Sequence, residues 1–183
     1  ITEVDALRGL EAAMDGYQVM PIAQAARIGD LFITATGNVN VIAREHFALM
    51  KDGAILANAG HFNDEIELGA LEKLATGKRE VRRFVEEYQL PGKNIYVLGE
   101  GRLVNHVAAE ANPAAVMDMS FANQALSIEY LMKNAGRLAP QVYPVPHELD
   151  EEIARRKLEA MGKRIDSMTE EQRVYANSWK AGT

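Results

Sequence analysis

The residues best suited to chemistry follow two short apolar segments of the 183-residue sequence. Thr34-Ala35-Thr36-Gly37-Asn38 comes after the first segment, and Asn58-Ala59-Gly60-His61-Phe62 comes after the second. Small residues at these positions would let a ligand approach the backbone closely, and His61 could exchange protons near neutral pH. A lone histidine is also common as a hydrogen-bonded loop residue, so the pattern alone leaves both interpretations open.

Glu3 is a further candidate, because an acid at the end of the second strand of a dinucleotide-binding fold hydrogen-bonds the adenosine ribose. Residues 1–5 are predicted to be such a strand end, and the charge of Glu3 would repel the additional phosphate of NADP. Arg8 could instead accommodate that phosphate, but the pattern favours NAD. The alternative is that Glu3 or Asp5 only caps the following helix.

The glycine fingerprint that grips a dinucleotide phosphate is not found in the sequence. Gly99-Glu100-Gly101 is followed by Arg102 and Leu103, without the third glycine. If Glu3 is the ribose acid, the phosphate loop would precede residue 1. We therefore expect the chain to be the later part of an NAD-binding α/β enzyme.

The elements that must position these residues are predicted to form an incomplete doubly wound, Rossmann-like parallel sheet, followed by a helical C-terminal segment. Continuous apolar runs predict strands over 31–34, 54–57 and 95–98, with weaker patterns at 19–20 and 81–84. Asp5 and Gly16 bound one predicted helix, and Asp52-Gly53 ends another. A third is predicted over 65–74, with Glu65 in an acidic first turn.

The pattern becomes mostly helical after Gly101. A long helix is predicted to start near Pro113, a charged helix spans 148–161 with Glu151–Arg155 and Glu152–Arg156 pairs, and a capping box at Thr169 starts a third helix. One apolar face of the long helix carries five residues, which are Met117, Phe121, Ala125, Ile128 and Met132.

Composition excludes several classes of protein. A net charge of −6 argues against a nucleic-acid binder, and no apolar run is long enough to span a bilayer. The one basic run, 78–83, is followed by Glu86 and Glu87, which predicts a charge-paired strand edge. The absence of cysteine excludes disulfides and thiolate metal sites and fits a reducing compartment.

Five motifs together resemble one family, adenosylhomocysteinase, in its short-tailed form. The resemblance runs in order along essentially the whole chain. The motifs are Thr2-Glu3-Val4-Asp5, Thr36-Gly37, Asn58-Ala59-Gly60-His61-Phe62, Glu100-Gly101-Arg102-Leu103-Val104-Asn105 and Ser120-Phe121-Ala122-Asn123-Gln124.

This resemblance implies an NAD-dependent hydrolase that reversibly splits S-adenosylhomocysteine into adenosine and homocysteine. The family reaction proceeds by 3′-oxidation, elimination, water addition and re-reduction. The resemblance also implies a cytoplasmic homotetramer of one-carbon metabolism without a metal site. It divides the chain into the remainder of an NAD-binding domain at 1–111, a helical segment returning to the substrate domain at 112–165, and an interface tail at 166–183.

The resemblance also assigns roles to residues. His61 is implied to be catalytic, and Met117 and Phe121 would lie near the adenine pocket unless they are helix core. The implied cofactor contacts are Glu3, Arg8, Thr34, Thr36, Gly37, Ala59, Gly60, His61, Asn105 and Asn112.

The chain departs from the family pattern near the nucleoside base. Ala111-Asn112-Pro113 stands where the family has Gly-His-Pro, and His106 replaces a leucine. Asn112 can donate and accept hydrogen bonds but cannot become cationic. S-inosylhomocysteine is therefore an alternative substrate.

Two other hypotheses remain open at the level of sequence. We expect the 183 residues alone to be inactive, because the family's other catalytic residues would lie outside them, and a non-catalytic NAD-binding or assembly module is also possible. A 2-hydroxyacid dehydrogenase shares the pattern around 50–56. It would need a catalytic arginine, for which Arg102 or Arg79 could be considered, and the motifs fit it poorly.

Overall fold

The computed structural model describes residues 1–179, which divide into two compact units, Ile1–Ala111 and residues from Asn112 onward. The first unit contains one five-stranded sheet in the order β1-β2-β5-β4-β3. The strands are β1 Leu31–Thr34, β2 Ala54–Asn58, β3 Gly77–Arg82, β4 Val85–Leu90 and β5 Lys93–Leu98. Its helices are α1 Ala6–Met14, α2 Ile22–Ile28, α3 Arg44–Leu49, α4 Leu68–Leu74 and α5 Val104–Val107.

The three strongest strand predictions are confirmed, and β1, β2 and β5 are parallel to one another. β2 is buried along most of its length, and the core beside it contains Phe32, Phe47, Leu71 and Tyr88. A doubly wound sheet has helices on both faces, but β1 departs from this arrangement. Leu31 and Ile33 are 54% and 63% exposed, so one face of β1 is uncovered among the described residues.

The other half of the sheet is antiparallel, which the parallel prediction missed. Two connecting residues join β3 to β4 and another two join β4 to β5, and so short a turn can only reverse the chain. Phe84 and Gly92 adopt positive φ values in these turns. The strand predicted at 81–84 has the wrong bounds, since β3 ends at Arg82. The strand β4 was not predicted.

The charge-paired strand edge is confirmed by β3 and β4. The Arg79 guanidinium donates to the Glu87 carboxylate at 2.7 and 3.2 Å, and Lys78 lies 3.1 Å from Glu86. The Arg79 hydrogen bonds, assisted by Gln89 and Tyr96, lower the pKa of Glu87 to about 2. Glu87 therefore stays ionised although it is only 3% exposed.

We expect Arg79→Met to make the protein more sensitive to acid. Because the pKa of Glu87 is lower in the folded state than in the unfolded state, its ionised carboxylate stabilises the fold at any pH above the unfolded-state pKa. This contribution is lost as the pH falls through the folded-state pKa of about 2. Without the guanidinium that pKa rises, so the midpoint of acid unfolding should move up by about half a pH unit. Circular dichroism between pH 7 and 2 measures it. Arg82→Met, on the same strand, is the control, and an equal shift in both variants would contradict the assignment.

Several predicted boundaries of the first unit are corrected. Asp5 caps α1 by accepting from the Leu7 and Arg8 amides, as predicted. Residues 1–5 and 19–20 form no strand: Met20 and Ile1 share one backbone hydrogen bond of 3.1 Å, too short a pairing for a ladder. The third helix begins at Leu68 rather than at Glu65.

The second unit consists of α6 Ala114–Asn134, α7 His147–Ala160 and α8 Glu170–Ala176, as predicted. α6 and α7 pack together, with Asn123 donating to Asp150 and Lys157 to Asp118. The predicted apolar face of α6 is not their interface: in the described part of the unit Phe121 is 59% exposed and Met132 75% exposed. The Thr169–Gln172 capping box is confirmed, as is Glu152–Arg156, whereas Arg155 pairs with Glu152 instead of Glu151.

Candidate functional site

Asn58, the last residue of β2, joins three turns at the carboxyl edge of the sheet. Its side chain is fully buried and its Oδ1 accepts from the Gly60 amide at 2.6 Å and from the Thr34 hydroxyl at 3.1 Å. Its Nδ2 donates to the carbonyl oxygens of Phe62 and Gly101 at 2.7 and 2.9 Å. The ends of β1, β2 and β5 are therefore tied to one amide group.

Glu65 holds the turn after β1. Its Oε2 accepts from the amide and hydroxyl of Thr36 at 2.9 and 2.8 Å, and its Oε1 accepts from the Gly37 amide at 2.7 Å. Burial alone would raise the pKa of Glu65, but these hydrogen bonds outweigh burial and hold the pKa below its usual value. A buried, ionised carboxylate thus fixes the shape of Thr36-Gly37.

Glu65 also explains why the prediction of a helix from residue 65 was wrong. Its backbone carbonyl accepts from the Ile42 amide at 3.0 Å, and Ile66 forms a parallel bridge with Ile42. Residues 65–66 are therefore extended, and the acidic side chain serves another loop instead of its own helix terminus. The role of Glu65 was missed because nothing in the local sequence distinguishes this acid from one in a first helical turn.

Gly60 lies where Glu65 and Asn58 converge. A Cβ at this position would overlap Glu65 Oε1 and lie 3.0 Å from Asn58 Oδ1. Gly37 adopts a φ of 68°, which L side chains rarely tolerate, and open space surrounds its Cα. The missing side chain of Gly60 therefore makes room for the Glu65 carboxylate, whereas that of Gly37 leaves room for a ligand to approach the backbone.

His61 follows this constrained turn and is exposed. Its ring contacts Phe62 edge to face, with ring centroids 4.6 Å apart. Within residues 1–179 the imidazole makes no hydrogen bond, which differs from the interpretation of His61 as a hydrogen-bonded loop residue. The side chain is therefore available to a ligand.

Glu3 lies in a bend rather than at a strand end, yet it shares a cleft with the turn after β1. Its Oε1 accepts from the Asp5 and Val4 amides at 3.0 and 2.7 Å, and these bonds lower its pKa. The cleft has a volume of about 600 Å³. Its lining includes Thr2, Glu3, Val4, Thr36, Asn38 and Val39.

The loop after β5 completes this edge of the first unit. Leu103 forms a parallel bridge with Asn58, and α5 then carries Asn105. Asn105 Oδ1 is buried and, among the described residues, has no hydrogen-bond donor. An unpartnered buried acceptor costs free energy unless a ligand or water supplies a donor.

The structure brings some of the predicted residues together and leaves others apart. Glu3 and Thr36 line one cleft, while Thr36, Gly37, Ala59, Gly60 and His61 lie on the two tied turns. Thr34 is buried and its hydroxyl is directed to Asn58. Arg8 is exposed on α1. Asn112, half-buried Met117 and exposed Phe121 belong to the second unit, and no residue of α6 is buried.

These residues fit a bound dinucleotide. The glycine turns provide close backbone approach, the cleft reaches an ionised acid, and Asn105 offers an unused acceptor. Within residues 1–179 no group of three or more His, Cys, Asp or Glu side chains could hold a metal ion. None of the helices in the described residues is long and apolar enough to cross a membrane.

The sheet, its small-residue turns and the cleft toward Glu3 define a dinucleotide-binding α/β domain. The family model for the S-adenosyl-L-homocysteine hydrolase NAD-binding domain matches residues 1–111, and the chain belongs to this family. The expected cofactor, NAD, is thereby confirmed. The 2-hydroxyacid dehydrogenase hypothesis is overturned.

Curated relatives named adenosylhomocysteinase match the whole of this chain. The identity is 59% to the protein from Aquifex aeolicus, 60% to that from Gloeobacter violaceus and 58% to that from Saccharolobus solfataricus. The matches cover 100% of this chain but only 44%, 43% and 44% of those proteins. The chain therefore spans less than half the length of these relatives.

Proposed function

We propose that the chain is the cofactor-binding portion of an adenosylhomocysteinase, which reversibly splits S-adenosylhomocysteine into adenosine and homocysteine. The observation that carries this proposal is the pair of turns held by Asn58 and Glu65, from which His61 projects without a hydrogen-bond partner among residues 1–179. Bound NAD supplies the reversible oxidation of the 3′-hydroxyl that precedes elimination and water addition.

Each residue has a distinct task in this proposal. Thr36-Gly37 and Ala59-Gly60 line the nicotinamide side, where missing or small side chains permit close contact. Glu3 accepts hydrogen bonds from the ribose hydroxyls, with Arg8 nearby, and Asn105 Oδ1 receives a donor from the cofactor. Thr34 acts through Asn58 and supports the turn instead of touching the ligand with its buried hydroxyl.

His61 is the proposed catalytic residue. Its exposed imidazole can accept a proton or donate one near neutral pH, which suits the proton transfers of oxidation and elimination. The tied turn fixes its backbone, so the ring needs to adjust only through its own side-chain torsions.

The second unit carries the proposed residues nearest the nucleoside base. Asn112 stands in Ala111-Asn112-Pro113, and Ala111 has a φ of 60°, which constrains the chain just before it. Met117 and Phe121 on α6 are proposed to contact the base. Because Asn112 cannot become cationic, we keep S-inosylhomocysteine as a second candidate substrate.

We also propose a cytoplasmic homotetramer acting in one-carbon metabolism. Residues 1–111 would be the NAD-binding domain, 112–165 the return to a substrate domain and 166–183 an interface tail. Val174, Tyr175 and Trp179 are 63%, 62% and 89% exposed, which suits a contact with another subunit. Residues 180–183 of the tail lie outside the described residues.

A hybrid enzyme tests the proposed activity. In it, these 183 residues replace the matching segment of the Aquifex aeolicus relative, so that the rest of that protein is present. We expect turnover of S-adenosylhomocysteine within about tenfold of the parent relative, and none from the 183 residues alone. A preference for S-inosylhomocysteine would support the second candidate. A folded hybrid that binds NAD but splits neither thioether would support the non-catalytic module.

A further inference from the structure

Glu65 is a buried carboxylate with an unusual environment. It is 1% exposed, and within residues 1–179 no positively charged side chain pairs with it. Buried charges are normally paired with an opposite charge or fully hydrogen-bonded. Here the charge is held by neutral donors, chiefly the amides of Thr36 and Gly37 and the Thr36 hydroxyl, with a smaller contribution from the Thr34 hydroxyl.

The network leaves hydrogen-bond acceptors at the edge of the sheet. The amides of Thr36 and Gly37 donate to Glu65, that of Ala59 donates to the Thr34 carbonyl at 2.7 Å, and that of Gly60 donates to Asn58. The carbonyls of Thr36 and Ala59 accept no hydrogen bond within the described residues. The unused carbonyl oxygens of these turns and the negative charge of Glu65 together suit a cation or a hydrogen-bond donor at this edge and disfavour an anion.

We propose that Glu65 is a positioning residue whose carboxylate locks the turn after β1 and makes this edge bind the oxidised, cationic nicotinamide ring more tightly than the neutral reduced ring. The inference rests on the proposed function, which places the nicotinamide beside Thr36-Gly37 and Ala59-Gly60. A reaction that begins with oxidation of the substrate requires the cofactor to be in its oxidised form before the substrate binds. The fixed negative charge of Glu65, held next to the turn after β1, would favour that state.

Amide hydrogen exchange of the 183-residue chain tests the locking role without any cofactor. Glu65→Gln replaces one acceptor oxygen by an amide NH2 group, a donor that would face the N–H or O–H donors of the turn. We expect exchange at Thr36 or Gly37 to accelerate at least tenfold, while the Ala59 amide, bonded to Thr34, changes little. Glu67→Gln is the matched control, because Glu67 accepts from the Arg44 amide instead. Unchanged exchange at both amides would overturn the locking role.

Binding of NAD and NADH to the hybrid enzyme tests the electrostatic role. Glu65→Gln should reduce the preference for NAD over NADH by about tenfold, equivalent to a rise of about 30 mV in the midpoint potential of the bound cofactor. Glu65→Asp keeps the charge but is shorter, so it should preserve the preference while loosening the turn. An equal loss of affinity for both cofactor forms in Glu65→Gln would overturn the electrostatic role. If the hybrid enzyme with Glu65 intact bound neither NAD nor NADH, both the electrostatic role and the proposed function would be refuted. The hydrogen-exchange measurement would still decide the locking role on its own.

Discussion

A Gly60→Ala substitution is expected to lower the free energy of unfolding by about 2–4 kcal/mol and to abolish NAD binding by the hybrid enzyme. The added methyl group would overlap Glu65 Oε1 and crowd Asn58 Oδ1. Neither acceptor can withdraw without leaving buried donors unpaired, because both are already bonded to the surrounding turns. Urea unfolding of the 183-residue chain measures the stability change.

Gly69→Ala is the control for this substitution. Gly69 lies in α4, and no atom lies within 4 Å of the Cβ that the substitution would add. Alanine is preferred to glycine in a helix by about 1 kcal/mol, so this variant should be as stable as the parent or more stable. Equal stability of the Gly60→Ala and Gly69→Ala variants would contradict the geometry of the tied turns.

His61→Asn is expected to reduce kcat of the hybrid enzyme by about 10²- to 10³-fold while NAD remains bound. The turn that carries His61 is held by Asn58 through Gly60 and Phe62, so removing the imidazole leaves the shape of the cofactor edge intact. Steady-state turnover of S-adenosylhomocysteine and the NAD content of the same preparation separate a chemical defect from a binding defect.

His147→Asn provides the comparison for His61→Asn. His147 starts α7, and its side chain is 82% exposed beside Glu151. Its loss should change kcat by less than about twofold, since exposed positions without buried partners contribute little. If the two variants had similar turnover, His61 would not be the catalytic residue.

The sequence predicted the parts of the site that follow from a repeated local pattern. The apolar runs that became β1 and β2 are each followed by small residues, so their carboxyl ends could be predicted as the place where a ligand approaches the backbone. Asp5 was correctly offered as a helix cap because the cap and its amide partners lie within three residues.

Long-range contacts account for what the sequence did not reveal. Glu65 is 28 residues from Gly37 and Asn58 is 43 residues from Gly101, and no local spacing indicates either pairing. β4 was missed because Glu86 and Glu87 interrupt its apolar pattern, although their pairing with the basic run 78–83 was predicted. The sequence pattern correctly predicted the helix α6 and the apolar residues along one of its faces. The pattern does not determine which part of the protein covers that face.

The central claim is that these residues form the cofactor half of an NAD-dependent enzyme. The most direct test is the amount of NAD carried by the purified hybrid enzyme, measured after denaturation and compared with the parent relative. We predict about one NAD per chain, as expected for one dinucleotide site per domain. A folded hybrid that carries no NAD and binds none when it is added would contradict the account.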